Sequence, residues 1–152
     1  MNVVRLGFMW SGYNPAPGVF NQTYMSLVKT IVARLNNQGI YVFMDMHQDG
    51  LSSKFCLYDG IPLWVANKSS VKIAKRAFPW PLNATAKRCS WGWQSNVITA
   101  AACTCYQDIY DNNYGMLDDL VAFWKRAAAE LKDLPGVLVR QGFRCVRIVF
   151  LE

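Results

Sequence analysis

The sequence has no long hydrophobic run and almost no histidine. No stretch of about 18 uncharged apolar residues occurs, so no membrane-spanning helix is predicted. The N-terminus has no basic leader, long apolar region or small-residue cleavage site, and no signal peptide is predicted. The single histidine, His47, limits both histidine-based catalysis and histidine-based metal binding to one place in the chain.

The chain also lacks any concentrated block of charge. Its sixteen lysines and arginines exceed its ten acidic residues and give a net charge of +6, but no basic run of five or more occurs. A nucleic-acid partner is therefore not predicted. A basic module that binds a membrane surface remains an alternative, since scattered positive charge attracts anionic lipid.

The cysteines do not have the spacing of a metal site. Cys103 and Cys105 form a CxC rather than a CxxC pair, and His47 is distant in sequence, so no metal and no other cofactor is predicted. We interpret the four clustered cysteines as two disulfides that brace a long loop, with the pairing left open. These candidates are Cys56, Cys89, Cys103 and Cys105, and Cys145 is left over.

Three N-glycosylation sequons begin at Asn21, Asn67 and Asn83. Each is a weak signal alone, because so short a motif often occurs by chance. Together with the clustered cysteines they favour an extracytoplasmic protein.

The first 46 residues predict a βαβ unit. Residues 2–9 and 40–46 are rich in β-branched and aromatic residues and predict two strands. Residues 23–37 between them predict a helix, with Asn21 as its N-cap and Gly39 as its stop. Its apolar stripe is Leu27, Ile31 and Leu35, widened by Tyr24, Val28 and Val32. Such units pair their strands in parallel.

The rest of the chain divides into a long loop, a helix and a tail. Residues 51–112 show no long periodic segment and predict a loop with short helices near 61–67 and 95–102. Residues 116–134 predict an amphipathic helix, followed by a third strand near Val137. The apolar stripe of the helix over residues 116–134 is Leu117, Leu120, Val121, Trp124, Ala128 and Leu131. We therefore predict one α/β domain over residues 1–138 and a divergent tail over 139–152.

Polar residues gather at the end of the second strand. Strand alternation places Tyr41, Phe43, Asp45 and His47 on one side, and the polar ones come last. In α/β enzymes the carboxyl ends of parallel strands carry the chemistry. His47, with Gln48 and Asp49 beside it, is therefore a candidate for binding a ligand.

Arg5 of the first strand faces the same side as Asp45, and the two predict an ion pair. Either it is a buried pair that fixes the strands, or it takes part in catalysis, and both interpretations remain open. Trp91 and Trp93 in the long loop suit the faces of sugar rings, but they could equally be packing residues.

Three segments carry a resemblance to a known family. NVVRLGFMWSGYNPAPGVFN, YVFMDMHQDGLSSKFCLYDGIPLWV and YDNNYGMLDDLVAFWKRAA resemble the endoglycoceramidase-related branch of glycoside hydrolase family 5. The resemblance implies an incomplete (β/α)8 barrel, or TIM barrel, holding about strands 2 to 4. It also implies retaining hydrolysis of the β-glycosidic bond that joins a glycan, or glucose, to ceramide.

The resemblance further implies the setting in which the chain acts. A glycosphingolipid or another β-glycoside would be the substrate, and no cofactor or obligate protein partner would be needed. The chain would contact membranes peripherally through that lipid. The location would be secreted or lysosomal.

The same resemblance assigns roles to individual residues. Residues 1–9 correspond to the second barrel strand, and residues 40–46 to the third, followed by the long third βα loop at the catalytic face. Arg5 would support the nucleophile, with Asp45 beside it. His47 and Asp49 would bind the sugar at the cleavage site, and Trp91 or Trp93 would contribute to binding it.

The departures from the family concern the catalytic carboxyl groups. Retaining hydrolysis needs two of them about 5 Å apart. The family's acid/base is the Glu of an N-E-P motif on the fourth strand, where this chain instead has VRQGFRCVRIVFLE. Neither Glu130 nor Glu152 matches, and the first strand and the nucleophile strand, the seventh, are not found. A frameshift, a retained intron or a mistaken gene model would each explain the tail.

Two functional hypotheses follow from this comparison. The parent activity is that of a glycosidase, and this chain is expected to be inactive alone. The alternative is a non-catalytic fragment or pseudoenzyme that binds glycan or glycolipid. An open fragment is also expected to expose sheet edges and an apolar inner face.

Overall fold

The computed structural model describes residues 2–46, 51–56, 60–71, 95 and 97–138. Strands β1 (Val3–Gly7) and β2 (Tyr41–Asp45) pair in parallel. They are connected by the short helix α1 (Trp10–Tyr13) and the long helix α2 (Gln22–Asn37). The predicted βαβ unit is confirmed.

The ends of α2 form as the sequence predicts. The side-chain oxygen of Asn21 accepts a hydrogen bond from the backbone N–H of Tyr24 at 3.0 Å, which satisfies one of the helix's open donors. Gly39 adopts a φ of 70°, which lets the chain turn out of the helix into β2.

A third strand position lies on the far side of β2. Val42 forms a parallel bridge with Val137, its N–H donating to the Gly136 carbonyl at 2.7 Å and its carbonyl accepting from Leu138 N–H at 2.9 Å. Gly136 is required here because a β-carbon would lie 2.5 Å from Oδ1 of Asn36. A parallel bridge is therefore present where the third strand was predicted, near Val137, and the residues after Leu138 lie outside the described ranges.

The core lies between one face of this sheet and the helices. Val42 and Met44 are buried against it, together with the rings of Phe8 and Trp10. Both rings pack on Phe123, with centroids 5.5 Å apart in each case. Phe123 belongs to the last long helix, Met116–Leu131. We number this helix α5, because α3 and α4, described below, precede it in the chain.

The buried faces of α2 and α5 are rotated about the helix axis relative to the predicted apolar stripes. On α2 the buried residues are Met25, Val28 and Val32, while Leu27 is 58% exposed. On α5 the buried face is shifted from Trp124 and Ala128 onto the residues before them. Its members are Met116, Leu120, Phe123, Ala127 and Leu131. Sequence periodicity predicts how wide the apolar face of a helix is. The aromatic side chains packed against the helix determine which side of that face is buried.

The long loop contains more helix than expected. A 3-10 turn at Ser53–Phe55 and helix α3 (Leu63–Ala66) come first, and α3 confirms the short helix expected near 61–67. Ser95 and Val97 are helical, as expected near 95–102, and helix α4 (Ala100–Tyr110) then extends further than expected. A second 3-10 turn, Asn113–Gly115, leads into α5, which ends at Leu131 rather than Leu134.

The proposed pair of disulfides is wrong for two of its four cysteines. Cys103 is an exposed free thiol and Cys105 a buried one. They lie two positions apart on α4, so their side chains leave the helix in different directions and cannot meet. Cys56 is disulfide-bonded. Cys89 lies outside the described residues, so its predicted pairing stays a prediction.

A buried carboxylate holds part of the loop instead. Asp108 on α4 accepts hydrogen bonds from the Ser69 hydroxyl, from the Ser70 N–H at 2.9 Å and from the Asn113 amide at 2.8 Å. Burial alone would raise the pKa of Asp108, but these donors outweigh it and lower that pKa below its usual value.

Two absences apply to the described residues only. None of their helices is long and apolar enough to cross a membrane. Within the same ranges, no group of three or more histidine, cysteine, aspartate or glutamate side chains could hold a metal ion.

Candidate functional site

The candidate site lies at the carboxyl ends of β1 and β2, on the sheet face opposite the core. Arg5 Nε lies 3.4 Å from Asp45 Oδ2, so the predicted ion pair is present. Register pairs Asp45 with Gly7 and Arg5 with Phe43, so the Arg5 side chain reaches along the strand to meet Asp45.

This ion pair is not buried, contrary to one of the two interpretations made from the sequence. The Arg5 side chain is 65% exposed and that of Asp45 24% exposed. Other side chains of the same face, Val3, Tyr41 and Phe43, are also 40–45% exposed, so this face is not covered by the described elements. An exposed pair contributes little to stability, so the arrangement leaves the guanidinium available for other contacts.

The loop after β1 is held in place by hydrogen bonds that the sequence did not suggest. Phe8 N–H donates to the Asp45 carbonyl at 2.7 Å, which extends the strand pairing by one step. The buried side-chain oxygen of Asn14 accepts a hydrogen bond from the Trp10 indole N–H at 3.3 Å. The backbone carbonyl of Asn14 accepts one from the Trp64 indole N–H at 3.1 Å. These bonds fix the position of the strand ends. Asn14 precedes a proline, the one sequence signal that marked it as a turn residue.

An apolar cavity of about 80 Å³ adjoins the end of β2 at Met46. The described residues that line it are apolar or aromatic, with two tyrosines, so the part of the wall that the structure describes offers shape and aromatic surface. Its other walls are Trp10, Ile61, Tyr106, Ile109, Tyr110 and Leu120.

Several predicted site residues fall outside the described ranges. They are His47, Asp49, Trp91, Trp93, Cys89 and Asn83. Their assigned roles stay predictions. The other two sequon asparagines, Asn21 and Asn67, are both exposed.

Glu130 has a structural environment away from the strand ends. On α5 it accepts hydrogen bonds from the Tyr13 hydroxyl at 2.8 Å and Arg126 Nε at 3.1 Å, and it pairs with Lys29 at 3.1 Å. Burial opposes ionisation, yet these donors and that of Gln22 lower the pKa of Glu130 to about 2. Burial and the Glu130 carboxylate raise the pKa of Tyr13 to about 12. A carboxyl group held ionised in this way is unsuited to donating a proton.

Curated relatives of the chain are endoglycoceramidases. It is 36% identical over 148 residues to an endoglycoceramidase of Cyanea nozakii and 34% identical over 146 residues to one of Hydra vulgaris. Each match covers 91% of this chain, but only 29% and 28% of the respective relative. The chain therefore spans less than a third of the length of these proteins.

Solved structures with the same fold come from the same group of enzymes. Endo-glycoceramidase II from Rhodococcus sp., in complex with a five-membered iminocyclitol, matches with a TM-score of 0.70 at 23% identity. Its complex with ganglioside GM3 matches with a TM-score of 0.65 at 22% identity. These matches cover 90% of this chain and 29% and 30% of those chains. The described elements are thus part of a TIM barrel, as predicted.

A family model describes nearly the whole sequence. The cellulase model, which represents glycosyl hydrolase family 5, matches residues 1–140. This match agrees with the curated relatives and with the parallel pairing of β1 and β2. The chain belongs to glycosyl hydrolase family 5.

Proposed function

We propose that this chain forms one side of the active site of a retaining glycosidase that cleaves glycosphingolipids at the bond between the glycan, or glucose, and ceramide. The observation that carries the proposal is the ion pair between Arg5, in the middle of β1, and Asp45, at the carboxyl end of the parallel strand β2. In barrels of this class, polar residues at that edge belong to the active site. Family membership and the endoglycoceramidase relatives support the choice of substrate.

The division of chemistry within this site follows from its carboxyl groups. Retaining hydrolysis uses one carboxylic acid to protonate the leaving group and one carboxylate to attack the sugar, about 5 Å apart. Asp45 is the carboxylate that the described site offers, and it is already paired with Arg5. We therefore assign Arg5 and Asp45 to support of the site, and His47 and Asp49 to sugar binding.

A chimera tests the proposal directly. Residues 2–138 replace the matching segment of the Cyanea nozakii endoglycoceramidase, and release of the glycan from GM3 is measured. We expect hydrolysis by the chimera and a loss of at least a hundredfold in kcat/KM for Arg5→Gln, because a charged positioning group is removed from the site. Arg34→Gln, an exposed change on α2, is the matched control and should leave the rate unchanged.

The result that would contradict the proposal is a chimera that folds but releases no glycan. Equal losses for Arg5→Gln and Arg34→Gln would also contradict it, because the pair at the strand ends would then have no special role.

The second candidate function is glycan or glycolipid binding without hydrolysis, favoured by the absence of an N-E-P motif from the sequence. The purified chain is expected to bind GM3 micelles and to release no glycan. Measurable turnover that His47→Ala abolishes would show that the chain is itself an enzyme.

The long loop and the sequons extend the proposal to location. We propose that the disulfide at Cys56 braces the loop and that the protein is glycosylated and acts outside the cytoplasm. A mass shift on enzymatic removal of N-glycans from protein secreted by eukaryotic cells would support this, and its absence would count against it.

A further inference from the structure

Two of the three sequons lie in the described part of the chain, and they differ in the exposure of their third residue. In the first, Asn21-Gln22-Thr23, all three residues are exposed. In the second, Asn67-Lys68-Ser69, the asparagine is exposed but Ser69 is only 7% exposed. The motif requires a serine or threonine at that position. The two sequons therefore differ in how readily a modifying enzyme can reach the hydroxyl that defines them.

The Ser69 hydroxyl is already used inside the fold. It donates a hydrogen bond to the Asp108 carboxylate, which is 3% exposed on α4, and it accepts one from the Val71 N–H at 3.3 Å. The same carboxylate accepts hydrogen bonds from the Ser70 N–H at 2.9 Å and the Ser70 hydroxyl at 3.0 Å. Releasing this segment would leave a buried charged group without its donors, which is costly.

The other two residues of the second sequon are also held by neighbouring elements. The N–H groups of Asn67 and Lys68 donate to the carbonyls of Leu63 and Val65, both at 2.9 Å, and continue the turn that ends α3. The Lys68 ammonium pairs with Asp119 on α5. Residues two positions apart on a helical turn do not face each other, so an enzyme that contacts the first and third residues must unwind this turn. Unwinding it breaks contacts to α3, α4 and α5.

The first sequon is held mainly by the start of its own helix. Asn21 donates its N–H to the Tyr13 carbonyl at 2.8 Å and accepts at Oδ1 from the Tyr24 N–H at 3.0 Å. The exposed Gln22 side chain donates to Glu130 at 3.2 Å. The third residue of the motif is exposed in the first turn of α2, and helix ends fray readily. Local opening of this turn is enough to present the whole motif.

We propose that folding closes the sequon at Asn67 to N-glycosylation and leaves the sequon at Asn21 open. In the transfer, the asparagine side-chain nitrogen attacks the anomeric carbon of a sugar diphosphate and loses one proton. The new C–N bond replaces the C–O bond to the diphosphate, which leaves with the electron pair. Asn67 accepts a glycan from the unfolded chain alone, whereas Asn21 accepts one before or after folding. The inference rests on the proposal that the protein is glycosylated and adds the stage at which each site is used.

The order of the chain gives Asn67 a period in which it is open. Ser69 precedes Asp108 by 39 positions. At about 5–20 residues per second, synthesis of that length takes roughly 2 to 8 seconds. The sequon is accessible in this interval and closes when α4 docks. Because Asn67 itself stays exposed in the folded chain, a glycan attached before docking is compatible with the fold.

Enzymatic glucosylation of the purified full chain tests the proposal. The reagent is a soluble glycosyltransferase that glucosylates Asn-X-Ser/Thr from a nucleotide sugar, and mass spectrometry of proteolytic peptides gives the rate at each asparagine. Synthetic peptides of residues 15–29 and 60–71 give the rate of each sequon without the fold. We expect the rate at Asn67 to fall at least a hundredfold below that of its peptide, and the rate at Asn21 to fall less than tenfold.

Two further measurements control for sequence and for folding. Thr23→Ser gives both sequons the same hydroxyl residue, and the difference in protection should persist. The chimera with the Cyanea nozakii endoglycoceramidase is assayed in the same way and should show the same difference. A rate at Asn67 of the chimera equal to that of its peptide overturns the proposal. Protection of Asn21 as strong as that of Asn67 overturns it as well.

Variants identify the contact that closes the site. Asp108→Ala removes the acceptor of the Ser69 hydroxyl and should raise the rate at Asn67 at least tenfold without changing that at Asn21. Asp111→Ala, which removes an exposed carboxylate at the end of the same helix, is the matched control and should change neither rate.

Ser70→Ala is the second variant, for the case in which Asp108→Ala unfolds the chain. It removes the Ser70 hydroxyl from the carboxylate and keeps the bond from Ser69, so it should raise the rate at Asn67 by a smaller factor. No rise in either variant overturns the proposal. None of these measurements reads hydrolysis or secretion, so failure here is distinct from failure of the proposed activity and location.

Discussion

Two asparagines combine a helix-end role with a glycosylation sequon. Asn21 caps the start of α2 through its side-chain oxygen, and Asn67 ends α3 through its backbone N–H, which donates to Leu63 at 2.9 Å. A glycan is attached to the side-chain nitrogen of asparagine, which neither contact uses. Capping and glycosylation can therefore coexist at both positions.

Variants of Asn21 separate the cap from the sequon. In the chimera, we expect Asn21→Ala to lower the free energy of unfolding by about 1 kcal/mol, because the Tyr24 N–H loses its acceptor. Asn21→Asp keeps an acceptor oxygen while removing the sequon, so its stability should stay close to that of the parent. Urea unfolding gives both values. Equal losses in the two variants would show that the cap is not the source of the effect.

The contacts of a single residue were predictable where its partner is near in sequence, or where the alternation of side chains along a strand places both partners on one face. The Arg5–Asp45 pair and the Asn21 cap follow from such short-range rules. Asp108 could not be found this way, because Ser69 and Ser70 are distant from it in sequence. The bond from the Trp64 indole to the backbone carbonyl of Asn14 was missed for the same reason. The exposure of Arg5 also escaped prediction, since burial depends on what covers the strand and not on the strand itself.

Among the secondary-structure elements, α5 is tied to α1 and α2 by one carboxylate. Glu130 receives hydrogen bonds from Tyr13 and Gln22 and pairs with Lys29. Its folded pKa of about 2 lies below the ordinary value of 4.5, so the ionised form is the one that folding stabilises. That stabilisation is complete above about pH 4.5 and is lost as the pH falls towards 2.

Glu130→Gln should therefore have a pH-dependent cost. In the chimera we expect it to lower the free energy of unfolding by about 2 kcal/mol at neutral pH, the scale of hydrogen bonds to a charged group. The difference from the parent should shrink below pH 4.5. Asp133→Asn, at an exposed position, is the control and should show no such trend. A difference that stays constant from neutral to acidic pH would contradict the assignment.

Helices and strands were predicted well where the hydrophobic pattern continues over many residues. The strands, α2 and α5 were found, with errors of a few residues at their ends. Helix α4 was mostly missed, because its apolar residues are alanines and cysteines that give a weak stripe. The rotation of the α5 stripe towards Phe123 was missed because the rings of Phe8 and Trp10, distant in sequence, select it.

As a whole molecule, the chain exposes a surface that a complete barrel would bury. The face of β1 and β2 opposite the core, which we call the open face, carries Val3, Tyr41 and Phe43 at 40–45% exposure, and Leu138 is 40% exposed at the other edge of the sheet. Unpaired strand edges beside apolar side chains favour open-ended association. The fold class followed from the sequence motifs, but the extent of this exposure required coordinates.

The isolated chain is expected to self-associate. Light scattering of the purified chain should rise with concentration, and the double variant Tyr41→Lys, Phe43→Lys should reduce the rise by adding charge to the open face. The double variant Leu27→Lys, Leu63→Lys adds the same charge at two exposed positions elsewhere and should have a smaller effect. A cooperative melting transition of a monomeric parent chain would show that the open face does not limit its stability.

The bridge between Val42 and Val137 implies an order of assembly. β1 and β2 are separated only by α1, α2 and their connections, whereas Val137 is separated from β2 by the entire long loop and α5. Closing a longer loop costs more chain entropy and delays the contacts that depend on it. The bonds from Ser69 and Ser70 to Asp108 shorten that loop before it closes. The βαβ unit should therefore form first and the third strand last, so folding speed depends on a segment far from the strands it joins.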